Sequence, residues 1–336
     1  MATQKRKNDE KMKNKGERKM KKFVCMMLAA LLLFACVSCG ESKDTIGIIQ
    51  FGSHGSLNNC YEGVIKGLEE SGIDLSEYNV EYLNSNFDAG VSQSQANTLV
   101  NKGAKVIIAI ATPSAVAAAN AAADKDVPVV YCAITDASVM ANYPNVTGSS
   151  DIPNFDKQLQ VVTAFMGKTD LKIGVLYSTE ESSSPIQVES LKKAAQAYAG
   201  MEILDSAVAD ITTIDAKTNE LIERGVDCFV NLLDNTVVGK LQTNILPLTD
   251  EKKIPVFGSE IEQVKVGCVA SASIEYVEVG KLSGKAAAEI LGGKKASEIP
   301  VQTITEPNNY YNSAACAALG LTVPTDITAT DVAESK

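Results

Sequence analysis

The chain has 336 residues, with 31 Lys or Arg against 41 Asp or Glu, no tryptophan and one histidine. Residues 1–22 hold ten Lys or Arg and three Asp or Glu, which leaves 21 basic against 38 acidic residues in the remainder, a net of −17. That balance argues against binding a nucleic-acid backbone, which needs clustered cations, and the lone His54 leaves little material for a hydrolytic triad or a histidine-based metal site.

The first nineteen residues are basic and polar with no apolar period, so Met20 is an alternative start. From there two lysines precede an apolar run too short to span a bilayer comfortably, closed by small residues and cysteine, which is the pattern of a secretory signal. Leu33-Phe34-Ala35-Cys36 matches a bacterial lipobox, in which the thiol is acylated and becomes the mature terminus; Cys39 is the second candidate. Residues 1–39 are therefore read as leader, signal and lipobox and 40–43 as a tether, predicting an exported protein held by lipid on the outer face of the cell membrane. The alternatives are a signal cut without lipidation and an uncleaved anchor helix.

Beyond the tether, β-rich apolar runs alternate with helical segments. Strands are predicted at Thr45–Phe51, Val80–Asn84, Val106–Ala111 and Val127–Ile134, with helices at Asn58–Ser71, Gly90–Lys102 and Ser114–Ala123. The pattern restarts with helices at Phe155–Met166, Ser184–Ala199, Ile214–Arg224 and Thr236–Leu246. Their strands are Lys172–Tyr177, Met201–Val208, Cys228–Leu233, Pro255–Gly258 and Val269–Ser273. A long amphipathic helix follows at Tyr276–Leu291, stopped by Gly292-Gly293; Val301–Tyr311 is extended and Ser313–Leu319 is a last helix.

The fold class is therefore α/β: two similar Rossmann-like lobes with open parallel sheets joined by multiple hinge crossovers. The expected boundaries are 44–148 for the N-terminal lobe and 149–274 for the C-terminal lobe. Residues 275–293 form a helix returning to the first lobe, and 294–336 a segment packing on the second. Cys60, Cys132, Cys228, Cys268 and Cys316 show no C-x-x-C spacing, so buried free thiols are expected, with pairing of some as the alternative in an exported protein.

Ligands of open α/β sheets bind beyond the carboxyl ends of the strands, and here those ends are polar. The first lobe offers Gln50 and Phe51, then Thr112, Pro113 and Ser114, then Thr135 and Asp136; the second offers Tyr177, Ser178 and Glu181, then Asp234, Asn235 and Thr236, then Glu260. In Thr112-Pro113-Ser114, threonine suits an N-cap and proline the first helical position, so either a helix N-terminus faces the cleft as an anion site or Thr112 merely caps its helix. Asp234 is either a cap or a carboxylate held for an ammonium group; on the second reading Asp234→Ala weakens ligand binding with the fold intact. An anion site facing a cation site matches a zwitterionic amino acid. His54 reads as a surface or gap-filling residue, since no nucleophile or metal partner accompanies it. No phosphate-binding glycine motif occurs, and no cofactor or catalytic residue is expected.

Several runs together resemble one family. Ile46-Gly47-Ile48-Ile49-Gln50, Ile108 to Ala115, Ala133-Ile134-Thr135-Asp136 and Asn145 to Asp151, followed by Ile173 to Ser178, Asp234-Asn235-Thr236-Val237, Ile254 to Phe257 and Ala317 to Leu321, are similar to ABC transporter substrate-binding lipoproteins of the tryptophan/tyrosine type. The resemblance spans 44–324 and implies a type I periplasmic-binding-protein fold. It implies a non-enzymatic receptor, monomeric, that closes on a small solute, an amino acid and possibly an aromatic one, and delivers it to a permease driven by a cytoplasmic ATPase. Where many relatives have proline soon after the first strand, this chain has Gly52-Ser53-His54-Gly55. A sensory lipoprotein, or a receptor for a nucleoside or sugar, is the alternative.

Overall fold

The computed structural model describes residues 43–304 and 306–333; the two lipidation candidates, Cys36 and Cys39, lie outside the described residues. The first lobe holds five parallel strands, β1 (Thr45–Gln50), β2 (Asn79–Asn84), β3 (Val106–Ile110), β4 (Val129–Ile134) and β5 (Val146–Ser150), in the order β5-β4-β3-β1-β2. The helices α1 (Gly55–Glu70), α2 (Ala89–Asn101) and α3 (Thr112–Ala122) connect them. β3 and β4 are buried along their whole length, which is why they read as unbroken apolar runs rather than alternating ones.

The second lobe opens with α4 (Phe155–Met166) and continues through β6 (Lys172–Ser178), α5 (Ser183–Ala195), β7 (Glu202–Val208), α6 (Ile214–Glu223) and β8 (Cys228–Val230). Next come α7 (Asn235–Lys240), α8 (Leu246–Glu251), β9 (Val256–Phe257), α9 (Ile261–Lys265) and β10 (Ala270–Ser273). Its parallel sheet runs β7-β6-β8-β9. The helix expected over Thr236–Leu246 is divided: α7 passes into a π turn at Leu241–Ile245 before α8. Pro247 stands at the start of α8 and has no N–H to donate back one turn, so the preceding turn widens.

The chain then crosses back. α10 (Tyr276–Leu291) packs on α1, and β11 (Gln302–Thr303) adds to the first sheet beside β5. β12 (Asn308–Tyr311) returns to the second lobe and pairs with β10 and with β13 (Thr330–Asp331), on either side of α11 (Ser313–Leu319). The segment from 294 is thus shared between the lobes instead of packing on the second alone, because β5 presents a free edge that Gln302 and Thr303 complete. The chain passes between the lobes after Ser150, after Ser273 and after Thr303.

β5 has no apolar signal in sequence, since Val-Thr-Gly-Ser-Ser is polar, yet four of its five residues are buried. Two of its three hydroxyls reach distant partners: Thr147 donates to the Ile299 carbonyl at 2.8 Å, and Ser149 lies 2.7 Å from Ser283 on α10. Helix α10 is seated on α1 by four glycines. A Cβ on Gly63 or Gly67 would fall under 3.0 Å from carbonyl oxygens of α10, and one on Gly280 or Gly284 likewise from those of α1, so the two backbones touch directly. Around this crossing Val64, Leu68, Val279 and Ala287 are fully buried, each of the larger ones contributing about 1.5–3 kcal/mol. Gly63→Ala or Gly280→Ala is expected to lower stability by about 1–3 kcal/mol or more, because a carbonyl of a packed helix has little room to yield; urea unfolding measures it.

Candidate functional site: the cleft between the lobes

In each parallel sheet the order reverses next to its first strand, β2-β1-β3 in one lobe and β7-β6-β8 in the other. Crossovers leave on opposite faces at such a point, so a crevice opens beyond the carboxyl ends. The two crevices meet in one cavity. The first lobe lines it with His54, Ser56, Thr112 and Thr135, the second with Ser183, Asp234, Asn235, Glu260 and Gln263, and the crossings with Asp151 and Tyr276.

The lobes are drawn together over this cavity. Its volume, for a water-sized sphere, is about 20 Å3, room for roughly one water molecule. His54 Nε2 lies 3.0 Å from Asn235 Oδ1, and Asn59 Nδ2 donates to Glu262 Oε1 at 2.9 Å, both across the gap. Phe87 closes the mouth: its ring meets Phe51 edge-on at 5.8 Å, stacks on His54 at 6.3 Å, and would sit 3.5 Å from a Cβ on Gly239 of the other lobe. The loop Gly52-Ser53-His54-Gly55 is closely packed: a Cβ on Gly52 would strike Phe87 and one on Gly55 would lie 2.6 Å from Glu262.

Backbone strain is concentrated here. Asn86, Phe87, Ala111 and Ala133 all have positive φ, at 51°, 63°, 75° and 56°, and all follow or end strands of the first lobe at the cleft. Such conformations cost about 1–3 kcal/mol each and persist where surrounding structure imposes them. Ala111, not Thr112, is the N-cap of α3, with no side-chain hydrogen bond to the first turn; Thr112 is already helical and lines the cavity. α1 likewise begins at His54 without a side-chain cap. Two helix N-termini of the first lobe therefore keep unsatisfied N–H groups at the cleft.

Asp234 is committed to the protein. Fully buried, it accepts hydrogen bonds from Ser178 N at 2.6 Å, Ser184 Oγ at 2.8 Å and Val237 N at 2.9 Å, the last capping α7. Its neighbour Glu181 accepts from Thr236 N at 2.7 Å, Thr236 Oγ1 at 2.8 Å and Asn235 Nδ2 at 2.9 Å. Burial raises the pKa of both, and the carboxylate of Asp234 raises that of Glu181 further. This pair builds the β8–α7 corner, and both oxygens of Asp234 already accept hydrogen bonds from the protein. Asp234→Ala is therefore expected to cost fold stability, where the sequence reading had the fold intact.

Glu260 has the opposite standing. It is 2 % exposed and lines the cavity; Oε2 accepts from Glu262 N at 2.8 Å, while Oε1 is buried without a partner. The Ser56 hydroxyl lies near enough to offset part of the burial effect on its pKa, but not in hydrogen-bonding geometry to Oε1. Burial pushes the Glu260 carboxyl up to about 7. Asp151, which accepts from Thr135 Oγ1 at 3.1 Å and Tyr276 OH at 2.9 Å, is raised by burial too.

Among known proteins, the profile of the ABC transporter substrate-binding protein family matches residues 45–333. The chain belongs to this family. It is 32% identical over 289 residues, 84% of this chain and 82% of the relative, to a tyrosine-binding protein of Clostridioides difficile (strain R20291). A domain from Streptococcus pneumonia in complex with L-Trp superposes with a TM-score of 0.78 at 31% identity, covering 84% of this chain and 97% of that one. The ligand-free, open structure of a Clostridium difficile substrate-binding protein gives 0.64 at 29% identity, covering 87% and 100%. At similar identity, the better match to the ligand complex agrees with the narrow cavity and the interlobe bonds. Proteins of this family serve ABC transporters outside the cytoplasm and bind solutes without transforming them; among the described residues no helix is long and apolar enough to cross a membrane.

Of the substrate-binding residues expected from sequence, the structure brings Thr112, Thr135, Asp234, Asn235 and Glu260 to the cavity. Ser178 and Thr236 line an outer groove beside Phe87. Glu181 sits one bond behind, holding Asn235. The others do not line the cavity. Gln50 donates to Gly52 O and Asn58 Oδ1, Phe51 packs on Phe87, Pro113 lies within the first turn of α3, and Ser114 turns to Ser92 on α2. Asp136 accepts from Ser138 N and caps a 3-10 turn, so the acid of that corner is Asp151; Tyr177 packs on the second lobe's core. His54, set aside in sequence, also lines the cavity, as do Ser56, Asp151, Ser183, Gln263 and Tyr276, none of them among the residues expected to bind. Only Glu260's neighbours in number carried a signal for Gln263; the rest arrive from other elements. All five described cysteines are buried and free.

Two outcomes follow from this arrangement. Asp234→Ala is expected to destabilise the protein by about 2–4 kcal/mol, since three buried donors lose their acceptor, and thermal unfolding will show it before any binding measurement. The raised acids also set the pH dependence of stability: the folded state keeps protons that the unfolded chain has released, so their contribution is full below the usual carboxylate range near about pH 4. It is lost as pH rises through the folded values, about 7 for Glu260, so the melting temperature should be higher at pH 5 than at pH 8.

Proposed function

We propose that this chain is the solute receptor of an ABC importer for an amino acid with an aromatic side chain, tethered by lipid at Cys36 or Cys39 and working as a monomer. The carrying observation is Glu260 Oε1, a buried carboxylate oxygen with no partner in a cavity formed by both lobes. Opposite it, α3 begins without a side-chain cap at Thr112-Pro113. An α-carboxylate fits the N–H groups and dipole of that helix, and an α-ammonium fits Glu260. The cavity as drawn together here has room for about one water, so an amino acid enters with the lobes apart and holds them less tightly closed; its differential affinity for that bridged arrangement supplies the free energy of closure. The closed form is what a permease would read. Names of the relatives support the side chain: one is a tyrosine-binding protein and one was solved with L-Trp.

The cation partner is Glu260 in place of Asp234, whose oxygens are occupied. Glu260→Gln should weaken binding of an aromatic amino acid by about 30-fold or more, the scale for removing one member of a buried charge pair. With the wild type, affinity should fall as pH drops below about 7, where Glu260 becomes protonated, by at most tenfold per unit for one proton, and the Gln variant should lose this dependence. Calorimetry of the lipid-free protein between pH 5.5 and pH 8 with L-tyrosine and L-tryptophan measures both. Binding of sugars or nucleosides, with no amino acid bound, would overturn the reading.

A further inference from the structure

His54 Nε2 is spent across the cleft on Asn235 Oδ1 at 3.0 Å. Asn235 Nδ2 donates to Glu181 Oε2 at 2.9 Å, and Glu181 is held by Thr236, which turns Asn235 Oδ1 toward His54. An amide oxygen only accepts, so with the amide in this orientation His54 carries its proton on Nε2. The other nitrogen is left bare. Nδ1 is buried and has no partner, and the residue lines the cavity. Burial lowers the pKa of the ring, which keeps it neutral.

A buried acceptor without a donor is costly unless something arrives to satisfy it. Glu260 and His54 line the same cavity, with Glu262 near both, Asn235 against His54 and Ser56 beside Glu260. Asp151 and Tyr276 stand at the chain crossings, and Phe87 stacks on the His54 ring beside the outer groove. One cavity thus offers both a carboxylate for an ammonium group and a bare ring nitrogen for a side chain.

We infer that His54 is a specificity-determining residue whose Nδ1 accepts a hydrogen bond from an N–H or O–H on the ligand's aromatic side chain, selecting phenol or indole rings over phenyl. This rests on the amino-acid reading above. A site built around a bare acceptor penalises a ligand that lacks the donor, because acceptor and ligand are then buried unpaired. Glu181 is a positioning residue in the same device, since it orients the Asn235 amide that dictates the tautomer.

The chain has one histidine, so histidine-selective 15N labelling observes His54 alone. In the free protein Nδ1 should give an unprotonated, pyridine-type signal; L-tyrosine or L-tryptophan should move it upfield as a hydrogen bond forms, and L-phenylalanine should not. In calorimetry the wild type should favour tyrosine or tryptophan over phenylalanine by about tenfold or more, from one hydrogen bond. His54→Phe keeps a ring against Phe87 and should collapse that ratio toward one, mainly by losing tyrosine and tryptophan affinity. A protonated Nδ1 in the free protein, no response to tyrosine or tryptophan, or an unchanged ratio in H54F overturns the inference while leaving the amino-acid reading in place. Failure of the wild type to bind any of the three overturns both.

Discussion

The backbone contact between α1 and α10 is the constraint on which the site depends. Gly63, Gly67, Gly280 and Gly284 let two helices approach until side chains are excluded from the seam. α10 is also the helix that follows the second crossing of the chain, and it holds Ser283 against Ser149 of β5. Through that seam the N-terminus of α1, with His54, Gly55 and Ser56, is placed relative to Tyr276, the first residue of α10. A displacement of α10 by even the radius of a methyl group would shift the α1 terminus against Glu260 and Glu262. Close packing without slack is what makes the two ends of the cavity a fixed pair.

The buried acids of the cleft divide by how fully their lone pairs are used. Asp234 and Glu181 each accept three hydrogen bonds from backbone, hydroxyl or amide donors, with both oxygens engaged, and hold the second lobe's β8–α7 corner; Asp151 is held by Thr135 and Tyr276 at the crossings. Glu260 keeps one oxygen empty. An unsatisfied buried group is destabilising, as are the positive-φ residues at the opposite lobe's strand ends, so local stability is lowered on both sides of the cavity.

Closure draws on weak, separable contacts. One bond at His54–Asn235, one at Asn59–Glu262 and the edge of Phe87 on Gly239 bridge the gap. Each is worth about 1 kcal/mol net, so the closed arrangement is favoured only modestly by the protein itself. A ligand that adds charge-assisted bonds to both lobes can then decide the equilibrium.

Much of the fold was legible in the sequence because its strands are buried on both faces and so appear as apolar runs, and because Tyr276–Leu291, Phe155–Met166 and Ser313–Leu319 carry helical spacing between clear stops. β5 was not legible: its residues are polar, and pairing with β4 and hydroxyl bonds to α10 make it a buried strand. β11 lies within the stretch read as extended, but its place on the free edge of β5 was not legible. The family, the polar strand ends and the placement of Thr112, Thr135, Asn235 and Glu260 followed from local pattern. Which carboxylate is free for a ligand did not, since Asp234 and Glu260 look alike as acids at strand ends, and lone-pair accounting needs partners from Ser178 and Ser184 in one case and their absence in the other. His54 is the extreme case. The sequence determined that one histidine stands in a glycine-flanked loop, while its tautomer, neutrality and burial come from Asn235 and Glu181, more than a hundred residues away, because a hydrogen-bond chain between lobes exists only once the lobes have met.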